Sequence, residues 1–213
     1  MGINVTLSPA EGLLPLSGEL VKAASVTCAQ AFADDPTTAY LVPDADKREN
    51  LNFSFEYYLR LSLLSSGYEA YVTSPACEGV VIWVGPDAND SLFTQFRAGW
   101  PVLPLRLGWR SLFRETRMDA RFSRVRQKLV PKRHIYLALL AVAPEYQGAG
   151  HAGRLVRPML ERLDRGKMPA FVETQNERNA AMYGRWGFRL LQTEAIPGTD
   201  VKMHLMLREP AKP

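Results

Sequence analysis

The stretch "VAPEYQGAGHAGRL", residues 142–155, decides how the chain folds. It places Gly148, Gly150 and Gly153 around Ala149, His151 and Ala152. It follows the apolar run "HIYLALLAV" (134–142) and precedes Leu155, Val156, Met159, Leu160 and Leu163, which trace one helical face. Glycine weakens strands and helices alike, so such a cluster serves a need of the backbone. A strand, a glycine turn and a helix start together make an anion site. Free N–H groups point outward at the helix N-terminus, the helix dipole favours negative charge, and the missing side chains let a phosphate approach. A P-loop is excluded, because His151-Ala152-Gly153 stands where Gly-Lys-Ser/Thr is required. A dinucleotide fingerprint needs an early strand and an acidic residue on the next one. Glu173 is roughly in range, but the segment comes late and after antiparallel-looking strands. Taken alone, the glycines also fit a plain turn.

Downstream, "PAFVET" (169–174) reads as a strand and "NERNAAMYGRW" (176–186) as a short helix. "GFRLLQT" (187–193) and "VKMHLML" (201–207) read as a closing strand pair. Upstream, "NVTLS" (4–8) alternates as a strand. Residues 17–34 carry helical spacing with Ser17 as a cap, and 45–67 read as a second helix. "EAYVTS" and "GVVIWVG" are strands joined at "PACE" (75–78) as a hairpin. Residues 91–128 look helical, and 134–142 suit a central strand buried on both faces. Pro158 inside the following helix deletes a hydrogen bond and predicts a kink. The order predicts one α/β domain over residues 1–213, with helices on both sides of a single sheet and a helical insert at about 91–133.

Composition fits this reading. Of 213 residues, 46% are hydrophobic and 23% charged, as in ordinary globular proteins. No apolar run is long enough for a membrane span, and the N-terminal residues lack a basic-then-apolar leader. Two cysteines exclude a disulfide framework, and they share no metal-ligand spacing with the three histidines. The expectation is a cytoplasmic protein with no metal and no membrane partner. The net charge of +4 is uneven. Residues 91–133 hold nine arginines and two lysines against Glu115 and Asp119, which gives +9 and leaves −5 for the rest. Such a segment suits nucleic acid or an anionic membrane. Its aromatic residues equally suit a buried face. A cover over an acceptor pocket, lined by Phe93, Phe96, Trp100 or Trp109 with the arginines in water, is the expectation carried forward.

The neighbours of the glycines sharpen the choice. Gln147-Gly148-Ala149-Gly150-His151-Ala152 fits Gln/Arg-x-x-Gly-x-Gly/Ala. Asn179, Tyr183, Gly187 and Phe188 stand as Asn-x-x-x-Tyr-x-x-x-Gly-Phe. The chain thereby resembles the GCN5-related N-acetyltransferases (GNAT), over nearly its whole length. "AFADDP", "VIWVGP", Pro158 and "PAFVET" look like the puromycin N-acetyltransferase-like branch of that superfamily. The resemblance implies a mixed, mostly antiparallel sheet with splayed fourth and fifth strands, and the basic helical insert before the fourth. It implies acetyl-CoA as co-substrate. The pantetheine arm would lie along a bulge near Leu140 and Val142, and the pyrophosphate on the amides of Gln147, Gly148, Ala149, Gly150, His151 and Ala152. Arg154 and Arg157 could assist the outer phosphates. Asn179 would contact the arm or orient its helix, and Tyr183 would be the general acid. The implied reaction moves an acetyl group to a primary amine of a small molecule by direct attack in a ternary complex, in a monomer or homodimer. A non-catalytic acyl-CoA sensor or anionic-surface binder on the same scaffold is the alternative.

Amine acetylation poses two proton problems. A lysine-like amine of pKa about 10.4 is neutral only about once in 2,500 molecules at pH 7, whereas an α-amine near 8 is neutral about a tenth of the time. A base therefore matters most for the first class. Strand alternation puts Phe171, Glu173 and Gln175 on one face, which makes Glu173 the candidate base; a structural ion pair is its other reading. The departing sulfur needs a donor, and a tyrosine keeps its proton at neutral pH; half-buried packing is the other reading of Tyr183. His134 reads as an exposed strand-end residue. Asp34 and Asp35 either face the amine or end the helix, and Trp83 and Tyr136 read as core. Neither Cys28 nor Cys77 has a basic neighbour in sequence to activate it, which disfavours an acetyl-cysteine route.

Overall fold

The computed structural model describes residues 13–130, 133–196 and 198–211. The valine-rich runs form the long strands β2 (Ser66–Val72) and β3 (Gly79–Asn89), paired antiparallel about the 75–78 turn. Two residues of β1 (Leu14–Pro15) add to β2. The alternating residues 4–8 lie outside the described residues. Beyond β3 come β4 (Ile135–Val142), β5 (Ala170–Thr174), β6 (Arg189–Ala195) and β7 (Lys202–Arg208). The seven-stranded sheet has the order β1-β2-β3-β4-β5-β7-β6, and only the β4–β5 pair is parallel.

The first helices are α1 (Val21–Ala31), α2 (Pro36–Leu41), α3 (Ala45–Arg48) and α4 (Leu51–Leu64). α1 begins later than Ser17, which only accepts the Leu20 N–H at 3.1 Å in the preceding turn. The expected helix at 45–67 is broken at residues 49–50, and its last residues join β2. α2 was not legible as a separate helix. Asp35 starts it by accepting the Thr37 N–H at 2.8 Å, with Pro36 in the first helical position.

Alternation along β3 sends Val81 and Trp83 to one face and Val80 and Ile82 to the other. The first face packs on α8 (His151–Arg165) and α9 (Glu177–Arg185), through Leu155, Val156, Met159, Leu160, Leu163 and Tyr183. α8 runs unbroken through Pro158. Burying its five apolar side chains stabilises it by roughly 7–15 kcal/mol, more than the ~3 kcal/mol a mid-helix proline costs. The second face packs on α1 and α4, and further along on α7 (Trp109–Leu129), whose Phe122 meets Phe171, Leu205 and Leu207.

The helices between β3 and β4 depart from expectation. α5 (Leu92–Ala98) and α6 (Leu103–Leu107) rest on α4 through Ala98, Leu103 and Leu107 in a small core of helices alone. Phe93, Phe96, Trp100 and Trp109 are exposed and line no pocket over the sheet. The reason is helical phase. The contacts with α4 are taken by Ala98 on α5 and by Leu112 on α7, and the large rings project from the opposite faces.

Candidate active site

β4 and β5 are paired only from Ile135↔Ala170 to Leu137↔Val172. Beyond that, β4 stays with β3 as far as Gly79↔Val142, and β5 stays with β7 as far as Thr174↔His204. Each strand follows a different neighbour, so the sheet parts between them. The β3–β4 register explains how the opening is lined. Ile82 faces Leu139 and Trp83 faces Leu137, which leaves Ala138 as an extra residue. The bulge thus lies at Ala138 rather than near Leu140 and Val142. It inverts the strand's alternation: Leu137 belongs to the α8 side, Leu139 to the α1 side and Leu140 again to the α8 side. Because Ala143 donates its N–H to the Glu78 carbonyl at 2.9 Å, ladder alternation turns the backbone groups of Leu140 and Val142 away from β3 and into the opening. The Gln147 side chain already meets the Val142 carbonyl, at 3.1 Å. β4 is not buried on both faces as expected; Ala138 is exposed and Leu139 and Leu140 are half-exposed where β5 has turned away.

At the end of β4 the glycine loop leads into α8. Gly148 and Gly150 adopt φ of +84° and +86°, the left-handed region that glycine tolerates without strain. A Cβ on either would meet nothing within 4 Å. Among the described residues, the backbone N–H groups of Gly148, Gly150, His151, Ala152 and Gly153 have no protein acceptor, whereas Ala149 donates to the Tyr146 carbonyl at 3.4 Å. His151 lies edge-on to Tyr146, and its buried Nδ1 is also unpartnered. Five unpaired donors, open space at both glycines and a helix N-terminus fit a pyrophosphate. Arg154 and Arg157 are exposed on the first turns of the same helix.

α9 starts at the end of β5 as α8 starts at the end of β4. Its cap is Asn176, which accepts the N–H groups of Arg178 and Asn179 at 2.8 and 3.3 Å. Asn179 itself is exposed on the first turn. Tyr183 is buried against the rings of Trp186 and Phe188, each 5.7 Å away. Burial pushes its phenol pKa up, and no hydrogen bond to its hydroxyl forms among the described residues. A phenol in that state holds its proton more tightly than a thiol does. It suits a hydrogen-bond donor to a developing thiolate better than a strong acid.

Glu173 projects from the opposite face of β5, towards α7. The Tyr136 hydroxyl donates to it at 3.4 Å, and Arg126 of α7 lies 3.9 Å away and over the Tyr136 ring. Burial raises its carboxyl pKa, while Arg126 and the Tyr136 hydrogen bond oppose that rise. Its Oε1 has no hydrogen-bond partner. Tyr136 is therefore part of this cluster rather than plain core, and Arg126 escaped the sequence reading altogether. Its one signal was the four-residue spacing from Phe122 on the face of α7 that packs on the sheet. Gln175, one step beyond β5, donates to Asp35, so that carboxylate caps α2 and ties it to the sheet. His134 lies at the edge of the Phe171 ring, half-buried rather than exposed. Trp83 is core. Cys28 and Cys77 are both buried, and burial raises both thiols, which opposes nucleophilic use. No group of metal-ligating side chains occurs among the described residues.

Two strands part beyond a bulge, and a helix starts at the end of each. Comparison with known proteins agrees. The model of the acetyltransferase (GNAT) family matches residues 111–188, from α7 to the start of the last strand pair. An uncharacterized N-acetyltransferase of Schizosaccharomyces pombe is 25% identical over 201 residues, covering 89% of this chain and 79% of the relative. Among solved structures, one from Corynebacterium glutamicum described as histone acetyltransferase HPA2 and related acetyltransferase has a TM-score of 0.67 at 22% identity, covering 94% of this chain and 97% of its own. The Drosophila melanogaster polyamine N-acetyltransferase has a TM-score of 0.52 at 16% identity, covering 92% and 99%. Residues 111–188 thus match the acetyltransferase (GNAT) family, and the fold as a whole is shared with these acetyltransferase structures. No helix among the described residues is long and apolar enough to cross a membrane.

Proposed function

We propose that the protein acetylates a primary amine of a small molecule, with acetyl-CoA as donor, by direct attack in a ternary complex. The observation that carries this reading is the placement of Glu173 and Tyr183. They stand on opposite faces of the sheet, towards α7 and among the α8–α9 core, and the strands between those faces part only beyond Leu137. On this reading a base approaches the opening from one side and a donor from the other. Acetyl-CoA supplies an activated thioester there. The backbones of Leu140 and Val142 line the arm, and the amides of Gln147 to Ala152 hold the pyrophosphate. Asn179, exposed beside the opening on α9, is placed to meet the arm. Glu173 takes the proton the amine must lose, directly or through water, and Tyr183 offers its O–H to the departing sulfur.

The acceptor class follows from how Glu173 is enclosed. Its side chain is 11% exposed, closed in by α7, Arg126 and Tyr136. A slender amine reaches it more readily than a residue held on a folded surface. Relatives do not choose for us, since one neighbour is described as a polyamine enzyme and another as a histone acetyltransferase, and likeness at this level concerns fold alone. The test is thiol release from acetyl-CoA with a panel of aminonucleosides, amino acids, polyamines and histone-tail peptides. Turnover with small amines and intersecting initial-rate patterns are expected. Histone acetylation without small-amine activity would defeat the acceptor class, parallel patterns would defeat direct attack, and binding without any thiol release would leave a sensor.

A further inference from the structure

The surface of the β3–β4 helices is the largest feature that acetyl transfer leaves unused. Leu92, Phe93 and Phe96 on α5, Leu105 on α6, and Trp109 and Phe113 on α7 are all more than 60% exposed, Leu105 reaching 84%. A scattered exposed apolar residue needs no explanation, but six within twenty-two positions are far beyond that pattern. Between them stand Arg97, Arg106, Arg110 and Arg117, all exposed. Among the described residues none of these four forms an ion pair. Three lie against rings instead: Arg97 over Phe93 at 5.8 Å, Arg106 over Phe53 at 4.5 Å and Arg117 over Phe113 at 5.4 Å. Within residues 92–117 the one acidic side chain is Glu115, and it is turned inward to accept the Tyr58 hydroxyl.

We infer that this face docks on an anionic phospholipid surface as a peripheral contact. Charge selects the occupant. A second copy meeting the same patch would set arginine against arginine. A nucleic acid would use the arginines and rings, but it has no apolar depth for Leu92 and Leu105. An anionic bilayer answers both sets at once, because aliphatic and aromatic groups enter the headgroup–acyl boundary while arginines reach back to the phosphates. The alternation of bulky apolar residues with arginine on short helices is the pattern that such a boundary accepts. The inference stands independently of the acceptor, since none of these residues lies in the opening between β4 and β5.

The test is co-sedimentation of the full chain with vesicles of phosphatidylcholine alone and of phosphatidylcholine mixed with phosphatidylglycerol, across a salt series. Binding to the mixed vesicles only, weakened by salt, is expected. Each arginine removed should lower the partition coefficient about five-fold, so Arg97→Ser, Arg106→Ser, Arg110→Ser and Arg117→Ser together should lower it several hundred-fold. Leu92→Ser, Phe93→Ser, Phe96→Ser and Leu105→Ser should leave only a low-salt association, with thiol release from acetyl-CoA unchanged as evidence of an intact fold. Quenching of tryptophan fluorescence by brominated acyl chains should accompany binding and be weaker in the Trp109→Phe protein, which keeps the less exposed Trp100. Equal partition to neutral vesicles, no binding to anionic ones, preferential capture of single-stranded RNA, or a concentration-dependent dimer abolished by the apolar substitutions would each overturn it.

Discussion

The opening between β4 and β5 and the surface of α5–α7 are both rich in apolar residues outside a core, yet they arise differently. In the opening, the backbone is the instrument. A bulge at Ala138 and left-handed Gly148 and Gly150 aim N–H and C=O groups, and few side-chain identities matter. On α5–α7 the side chains are everything, and the backbone is ordinary helix. The difference teaches that a site built from backbone geometry leaves glycines, whereas a surface built from side chains leaves only a composition that a core would leave as well. Five substitutions press on this contrast.

Glu173→Gln should have the largest effect. Loss of a general base costs about 10²–10⁴ in turnover, near the upper end for an amine of pKa about 10 and less for one near 8. The sign with pH is fixed by its environment. The base works only when ionised, and burial raises its pKa, so wild-type activity should fall as pH drops through a value above the ordinary carboxylate range. With one acceptor compared in both proteins, the substituted enzyme should lack that limb. Arg126→Ala removes the charge that favours the carboxylate, so the limb should move to higher pH. An unchanged pH profile in Glu173→Gln would make the residue structural.

Phe122→Ala tests what holds α7 to the sheet. Phe122 is 3% exposed against Phe171 and Leu205, and truncating a buried phenylalanine costs about 3–5 kcal/mol. Urea unfolding measures it; a loss under about 1 kcal/mol would mean that α7 is only loosely attached and cannot position Arg126.

Tyr183→Phe should lower turnover about 10² while leaving acetyl-CoA affinity within a few-fold, because the ring packing against Trp186 and Phe188 survives and only the donor is lost. Unchanged turnover would make Tyr183 a packing residue and leave the sulfur to water.

The sequence carried most of the sheet and the loop. Alternating and apolar runs located β2 to β7 within a few residues, and the glycine spacing located the turn into α8. What escaped it was relational. The bulge at Ala138 depends on how β3 pairs with β4, which no local pattern records. Arg126 is one arginine among many until α7 is laid over β5. Asp35 looked like a helix end because its link to Gln175 spans 140 positions. The aromatic residues of 91–133, Phe113 among them, suited a covered face because a helical stripe has the same period whichever way it faces.

The smallest effect is expected where that stripe misled. Phe113 lies on the same helix as Phe122, nine positions earlier, and is the same residue type, but it is 63% exposed with Arg117 resting on its ring. Truncating Phe113 to alanine removes little area that folding had withdrawn from water. The cation–π contact adds about 0.5–1 kcal/mol at most at an exposed site. Phe113→Ala should therefore shift the unfolding free energy by no more than about that amount, with the urea dependence unchanged, against several kcal/mol for Phe122→Ala. The paired measurement isolates orientation, since composition, helix and chemistry are held constant. A cost for Phe113→Ala approaching that of Phe122→Ala would mean that the ring is covered in solution, and that α5–α7 fold over the body of the protein instead of facing outward.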